Sequence, residues 1–562
     1  MQKYLKYIIP ISIPLIVLLL PLSAFPFEGL TIVQQRVIAI FLLAALCWVF
    51  EPIPIYATSV VIIVLELLLV SNKGVYLFRS GEGQAHFGEL LNYNEIMATF
   101  ASPIIMLFLG GFFLAMAATK YRLDVNLARV LLKPFGSDPR FVMLGLMLIT
   151  GIFSMFMSNT ATTAMMLSIL TPVIAVFGPK DPGRIAFALC IPVAANIGGI
   201  GTPIGTPPNA IALKYLVGDN YISFGEWMAF GVPFVVVMMA LAWMLINFLY
   251  TADQKKIELS IKGKFLKTPK AIMVYITFAL TIILWLMGSS HGMNSYTVAL
   301  IPVAIFSLTG IINKEDLKKI SWDVLWLVSG GIALGLALDK TGLARLVVHS
   351  IPFDGFSPYV VLFGAAFLCL LMANFMSHTA TANLLMPIMA ALGTSMTSLT
   401  PLGGELTLIL VVTFAASLGM SLPISTPPNA LAHATGHVQS SQMARVGVIL
   451  GVVGVMLSFV LVWLLHAVGH IGRCQWNYWF AIIFQSLVVR SLSMPSKLCF
   501  VKRRTMTDSI MCWKGSLRDI SRATKMASSP NCSMPRKGHS LVYTAFSRVL
   551  GWRHQPLLQK LT

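Results

Sequence analysis

The sequence predicts an all-α polytopic membrane protein built from two inverted repeats, each holding one broken helix. Three observations predict it. The chain of 562 residues is 57% hydrophobic and only 11% charged, more apolar sequence than a soluble core needs. The apolar residues fall in runs of about 20, the length that spans a hydrocarbon layer of roughly 30 Å. Two of these runs are interrupted by the same five residues, TPPNA, spaced 220 apart.

The elements follow in order. Two lysines precede IIPISIPLIVLLLPLSAF, which is long for a signal peptide and is soon followed by another apolar run. Residues 1–30 are therefore expected to hold a first transmembrane helix. Further spans are expected near 33–50, 54–71, 100–120, 185–216, 228–250, 271–288, 293–312, 322–340, 403–437 and 445–468, about eleven in all. Two other apolar stretches, 142–177 and 360–394, are interrupted by small polar residues. Each reads as a re-entrant hairpin or as two spans, and either way the chain returns to the side it left.

Loop charges test this order. With the N-terminus in the cytoplasm, the cytoplasmic segments hold 19 Lys and Arg, among them Lys120, Arg184 and the six lysines of 255–270. The outer segments hold six: Arg36, Lys73, Arg79, Lys214, Lys340 and Arg345. Cytoplasmic loops carry this bias. Residues 256–270 then form a cytoplasmic linker between a first repeat (31–255) and a second (271–470). The repeat extends beyond TPPNA. Gly110-Gly111 matches Gly330-Gly331 and Lys120 matches Lys340 at an offset of 220, and SNTATTAMMLSIL (158–170) matches SHTATANLLMPIM (377–389) at 219. Each half has five spans plus a hairpin. The odd number turns the halves over relative to one another, which places a substrate site at their interface near the midplane.

Beyond residue 470 the composition changes. Residues 471–562 carry 15 Lys and Arg against two Asp and Glu, whereas residues 1–470 carry 25 against 19. The abrupt change near Gly472 reads as a reading-frame shift or a disordered segment rather than as a nucleic-acid-binding tail. Four of the seven cysteines lie in it; Cys47, Cys190 and Cys369 sit singly in apolar segments, so neither a disulfide framework nor a metal site is expected.

The chemistry concentrates in the interruptions. The first reads NIGGIGTPIGTPPNA (196–210), with Gly198, Gly199, Gly201, Pro207, Pro208 and Asn209; the second reads SLGMSLPISTPPNA (417–430), with Pro427, Pro428 and Asn429. Glycine and proline break a helix, and a break persists at membrane depth only where it lines a cavity. Thr206 and Thr426 are N-caps placed before a first-turn proline, so a half-helix starts at each. Ser158-Asn159-Thr160 and Ser377-His378-Thr379 add hydroxyls and helix N-termini from the hairpin tips. Donors without fixed charge suit an anion bearing carboxylate or sulfate-like oxygens. Carbonyls freed by the breaks, with Ser and Asn oxygens, suit Na⁺. Small residues also permit close helix packing, but two matched sets in inverted halves point to a site.

These motifs resemble the divalent anion/sodium symporter family, the sodium-coupled dicarboxylate and citrate carriers and their exchanger relatives, over about residues 30–470. The resemblance implies a secondary active transporter of di- or tricarboxylates of the succinate, malate and citrate class. It implies a homodimer in the cell (inner) membrane, an elevator movement, Na⁺ as coupling ion and no further cofactor. It also implies that Ser158, Asn159, Thr160, Ser377 and Thr379 contact substrate, with Thr206, Thr426 and Pro427 beside it. Ser154, Ser158, Asn159 and the backbone around Gly205 would hold one sodium. The second half departs from the pattern: Ala373 stands where the first half has Ser154, and His378 where it has Asn159. His378 then either replaces the second sodium, favouring proton coupling or exchange, or serves as a substrate donor while Na⁺ binds backbone carbonyls. Sulfate or another inorganic anion is the alternative cargo.

Other ionisable residues carry less. Glu66 lies mid-span in VIIVLELLLV, where a buried, paired or protonated structural role is expected. His433 and His437 share a helix face but lack a third ligand, so they read as cytoplasmic helix-end residues. A channel would show a continuous polar pore rather than paired breaks, and no nucleophile–base pair points to a membrane enzyme.

Overall fold

The computed structural model describes residues 2–84, 86–257, 264–350 and 355–467. The basic tail and part of the linker (258–263) lie outside the described residues. Among the described residues every regular element is a helix, apart from an isolated bridge between Ser71 and Leu91. Three helices lead in: α1 (Gln2–Leu19), α2 (Ile32–Phe50) and α3 (Ile55–Leu69). There follow α4 (Pro103–Lys120), α5 (Leu123–Leu132), the hairpin α6 (Pro139–Phe156) and α7 (Asn159–Ile174), the broken pair α8 (Gly183–Gly199) and α9 (Pro207–Leu213), and α10 (Phe224–Leu249). After α11 (Pro269–Leu286) and α12 (Ser295–Leu308) the same succession returns. It comprises α13 (Trp322–Lys340), α14 (Leu343–Ser350), the hairpin α15 (Pro358–Phe375) and α16 (His378–Ser395), the broken pair α17 (Gly404–Ser417) and α18 (Pro427–Ala434), and α19 (Ser440–Ala467).

Local chemistry sets many of these starts. Ser102, Asp138 and Thr268 each cap a helix whose first residue is proline, and their side chains accept from the N–H of Ile105, Arg140 and Ala271. Proline at that position gives up no hydrogen bond, because the first-turn N–H groups have no intrahelical partner. Among the described residues, eight helices are long and apolar enough to cross a membrane, and five further apolar helices, α3, α8, α12 and α17 among them, are shorter. Helix length alone therefore does not fix the span number at eleven. The 17 residues of α8 rise about 26 Å, short of a full crossing. Leu308, Phe248 and Leu19 point outward with 88%, 83% and 77% of their surface exposed, as side chains facing acyl chains do.

The paired glycines show why the repeat is needed. A Cβ on Gly110 would stand 2.2 Å from the Ala299 carbonyl oxygen on α12, and one on Gly330 would stand 2.3 Å from Ser59 Cβ on α3. So α4 packs on α12 as α13 packs on α3. The paired lysines are reciprocal too. Lys120, at the end of α4, donates to Ile311 O at 2.8 Å and pairs with Asp316, both just before α13. Lys340, at the end of α13, pairs at 3.3 Å with Glu95, just before α4. Helices α4 and α13 thus run antiparallel, each C-terminus tied to the segment leading into the other.

The two ties differ in burial. Asp316 is buried, and desolvation alone would push its carboxyl up; hydrogen bonds from Lys120 and the Asn313 N–H outweigh this and hold it below the ordinary aspartate value. The stabilisation is full at neutral pH and is lost only as pH falls through that lowered folded value. Asp316→Asn is expected to cost about 1–3 kcal/mol. Glu95→Gln, in the exposed pair, should cost less than about 1 kcal/mol. Thermal unfolding in detergent at neutral pH checks both.

Candidate functional site

The site is built where the two hairpin tips meet the two breaks. In the first half, Ser154 near the end of α6 places its hydroxyl 2.5 Å from Asn159 Oδ1 and 2.7 Å from the Ala195 carbonyl of α8. One hydroxyl hydrogen is shared between the two oxygens, which crowds three oxygen atoms around one point. The backbone closes over the same point. A Cβ on Gly199 would stand 2.7 Å from Asn159 Oδ1, and one on Gly205 would stand 2.3 Å from the Gly199 carbonyl oxygen. Only glycine permits that approach, and any side chain would fill the cradle. Ser154, Asn159, Gly199 and Gly205 are thereby brought together, and the crowded oxygens suit a small hard monovalent cation such as Na⁺. Ser158 is engaged elsewhere. Its hydroxyl caps α7, accepting from Ala161 N at 3.2 Å.

The corresponding point in the second half is chemically different. Ala373 supplies a methyl where Ser154 supplies a hydroxyl, and a Cβ on Gly419 would stand 2.5 Å from it. His378 Nε2 lies 2.9 Å from the Gly419 carbonyl. Two acceptors do not bond, so Nε2 carries the proton and donates. The Gly199 carbonyl accepts from the Asn209 amide at 3.2 Å, and its counterpart at Gly419 accepts from an imidazole N–H instead. Ser425 replaces Gly205 and bonds back to Leu422 O. Ser377 caps α16 as Ser158 caps α7, at 3.2 Å from Ala380 N. This donor set does not fit a second sodium.

The breaks themselves are held by amides. Asn209 Nδ2 lies 3.2, 3.2 and 2.8 Å from the carbonyls of Gly199, Ile200 and Thr202, and Trp227 Nε1 also donates to Ile200 O, at 3.0 Å. Asn429 Nδ2 does the same for Met420 (2.8 Å) and Leu422 (3.1 Å). The asparagine of each TPPNA therefore satisfies carbonyls that sequence reasoning left free for an ion. The capping threonines differ as well: Thr426 Oγ1 accepts from Asn429 N at 3.3 Å, whereas Thr206 makes no side-chain cap bond. Pro207 and Pro427 begin their half-helices as expected from their position.

Sequence reasoning missed two residues. Asn196 Nδ2 reaches Thr426 Oγ1 (3.3 Å) and Asn429 Oδ1 (3.1 Å), bracing one break against the other. Asn374 accepts from Ser421 N at 2.8 Å. The available signal was a lone amide in an apolar helix. Thr379 is buried on α16, and Thr160 is exposed on α7. His433 and His437 serve separate partners, Ser440 (3.3 Å) and Arg184 (3.4 Å). Lys214, counted above among the outer loop cations, instead lodges its ammonium against Ile332 O of α13. Glu66 is fully buried.

Comparison with known proteins bears on this arrangement. The model of the sodium:sulfate symporter transmembrane region matches residues 1–469. The sodium-dependent dicarboxylate transporter SdcS of Staphylococcus saprophyticus is 31% identical over 470 residues, covering 76% of this chain and 85% of its own. The inorganic phosphate transporter PHO87 of Saccharomyces cerevisiae is 30% identical over 441 residues, covering 76% of this chain and 46% of its own. The crystal structure of the YdaH transporter of Alcanivorax borkumensis overlays with a TM-score of 0.48 at 12% identity, covering 78% of this chain and 98% of that one.

The cradle gives a direct prediction. A methyl at Gly205 would overlap the Gly199 carbonyl, so Gly205→Ala should abolish Na⁺-dependent stabilisation of the purified protein. Gly178→Ala is the control, because a Cβ there meets nothing within 4 Å and the backbone is not left-handed. Thermal unfolding in Na⁺ against K⁺ reads the difference.

Proposed function

The chain belongs to the sodium:sulfate symporter family, a family of membrane transporters and not of enzymes, and on that premise we propose that it is a secondary active carrier of di- or tricarboxylates of the succinate, malate and citrate class. The observation that carries the reading is the oxygen cradle of Ser154, Asn159, Ala195 O, Gly199 and Gly205 beside paired hairpin tips rich in neutral donors. Relatives named as sodium-dependent dicarboxylate transporters support both the ion and the cargo. A relative named as a phosphate transporter supports inorganic dianions as the second cargo class. Ser158, Asn159, Thr160, Ser377, His378 and Thr379 hold the anion in this reading, with Thr206, Thr426 and Pro427 alongside. The carrier works as a homodimer in the inner membrane with its N-terminus in the cytoplasm.

The movement we propose is an elevator: α6–α10 and α15–α19 slide against α2–α4 and α11–α13. An asymmetry between the halves supports it. A Cβ on Gly331 of α13 would stand 1.8 Å from Asn383 Oδ1, so α16 lies tight on α13. On α4, the equivalent Gly111 meets only Ile204, at 3.3 Å. Ala164, the counterpart of Asn383, is exposed on α7. One hairpin is docked and its twin is free, as expected of one end of a sliding cycle. The charge rule puts the free hairpin on the cytoplasmic side, so this state faces inward.

Charge decides the coupling. A dianion with one sodium carries a net charge of −1, and moving it against 100 mV costs about 2.3 kcal/mol. With the second cradle closed by His378, net uptake works against the membrane potential, while exchange of one loaded complex for another does not. The test is uptake of labelled succinate into proteoliposomes. The reading predicts Na⁺-dependent uptake that is faster into vesicles preloaded with succinate and is slowed by an inside-negative potential when they are not. Net uptake accelerated by that potential would require at least three cations per dianion and would defeat it.

A further inference from the structure

We infer that Lys214 is a latch holding the chain in the state described. The inference rests on the elevator reading, in which α9 belongs to the sliding body and α3 and α13 to the fixed one.

Lys214 follows the last residue of α9, and its Nζ donates to Ile332 O on α13 at 2.8 Å. That carbonyl sits inside a helix, so the ammonium reaches it from the side. It can do so because residue 335, one turn on, is glycine. A Cβ there would stand 2.5 Å from Lys214 Nζ and 2.5 Å from Tyr215 Oη. Glu66 is fully buried, and neither of its carboxylate oxygens has a hydrogen-bond partner. It lies seven residues, two turns, beyond Ser59, which packs on Gly330, so it shares the face of α3 turned toward α13.

The other half has no such device. At the repeat offset Lys214 corresponds to Ala434, Gly335 to Ala115 and Ile332 to Phe112. Ser59 and Ala299 occupy equivalent places against Gly330 and Gly110, so Glu66 corresponds to Phe306. Inverted repeats otherwise offer matched contacts to the two end states. A charged hydrogen bond present in only one of them biases the equilibrium toward it. Lys214 thus positions the sliding body through α9 and does not touch substrate.

The test uses Ala164→Cys in a cysteine-free background as a reporter, because its counterpart Asn383 is buried by docking. A membrane-impermeant maleimide is applied from the cytoplasmic face, with and without Na⁺ and each of succinate, citrate, phosphate and sulfate. Lys214→Met and Gly335→Ala should each move the equilibrium roughly tenfold away from this state, the order expected from losing one hydrogen bond to a charged group, and slow labelling by up to that factor. The pair Ala434→Lys with Ala115→Gly keeps Lys214 and builds the contact in the opposite state, so it should also slow labelling. Unchanged labelling in all of these, with the parent still responding to Na⁺ and an anion, overturns the latch and leaves the elevator standing. A parent rate that responds to none of the ligands overturns the elevator reading and the latch with it.

Discussion

A broken helix in a bilayer must satisfy its own backbone, because no water is there to do so. This constraint shapes the centre of the chain. Asn209 and Asn429 meet it by turning their amides onto the carbonyls of their own breaks. Asn196 then joins the two breaks through Thr426 and Asn429. With the carbonyls held, the backbone can bend sharply enough for Gly199 and Gly205 to touch, and the cradle beside Asn159 exists as a result. The amide N–H groups of this network are paired, while the Oδ1 atoms of Asn196 and Asn209 are buried without a protein partner.

The repeat supplies a frame and then departs from it at chosen places. Gly110 and Gly330 make the same close approach in each half, and Lys120 and Lys340 exchange ties across the frame. The positions proposed to hold the ion do not match: Ser154 becomes Ala373, Asn159 becomes His378 and Gly205 becomes Ser425. The second half thus lacks the hydroxyl and the amide oxygen that the first half brings together. A neutral imidazole donating to Gly419 O keeps that carbonyl satisfied without an ion. In the proposed reading the second tip meets an anion through Ser377, Thr379 and the helix N-terminus and contributes no cation.

Much of this was legible in the residues. Hydropathy gave the helices, and the starts at Pro103, Pro139 and Pro269 follow from proline behind a capping residue. The two TPPNA segments marked both breaks. What was hidden depends on tertiary partners. Nothing in an apolar helix says that Asn196 faces another break, or that Asn374 accepts from Ser421 N. Thr206 and Thr426 stand in identical TPPNA contexts, yet only Thr426 caps, because Asn196 steadies its hydroxyl. Lys214 looked like a loop cation because its partner carbonyl lies 118 residues away. The span count depends on where bilayer meets helix, which length does not specify for α8 or α17.

The central claim is that one half holds sodium and the other does not. Equilibrium binding of radioactive Na⁺ to the purified protein, counted per protomer, tests it most directly. The account predicts one Na⁺ per protomer, lost on Ser154→Ala and raised toward two when Ala373→Ser and His378→Asn are combined. Two Na⁺ bound to the unaltered protein, or one that survives Ser154→Ala, would contradict it.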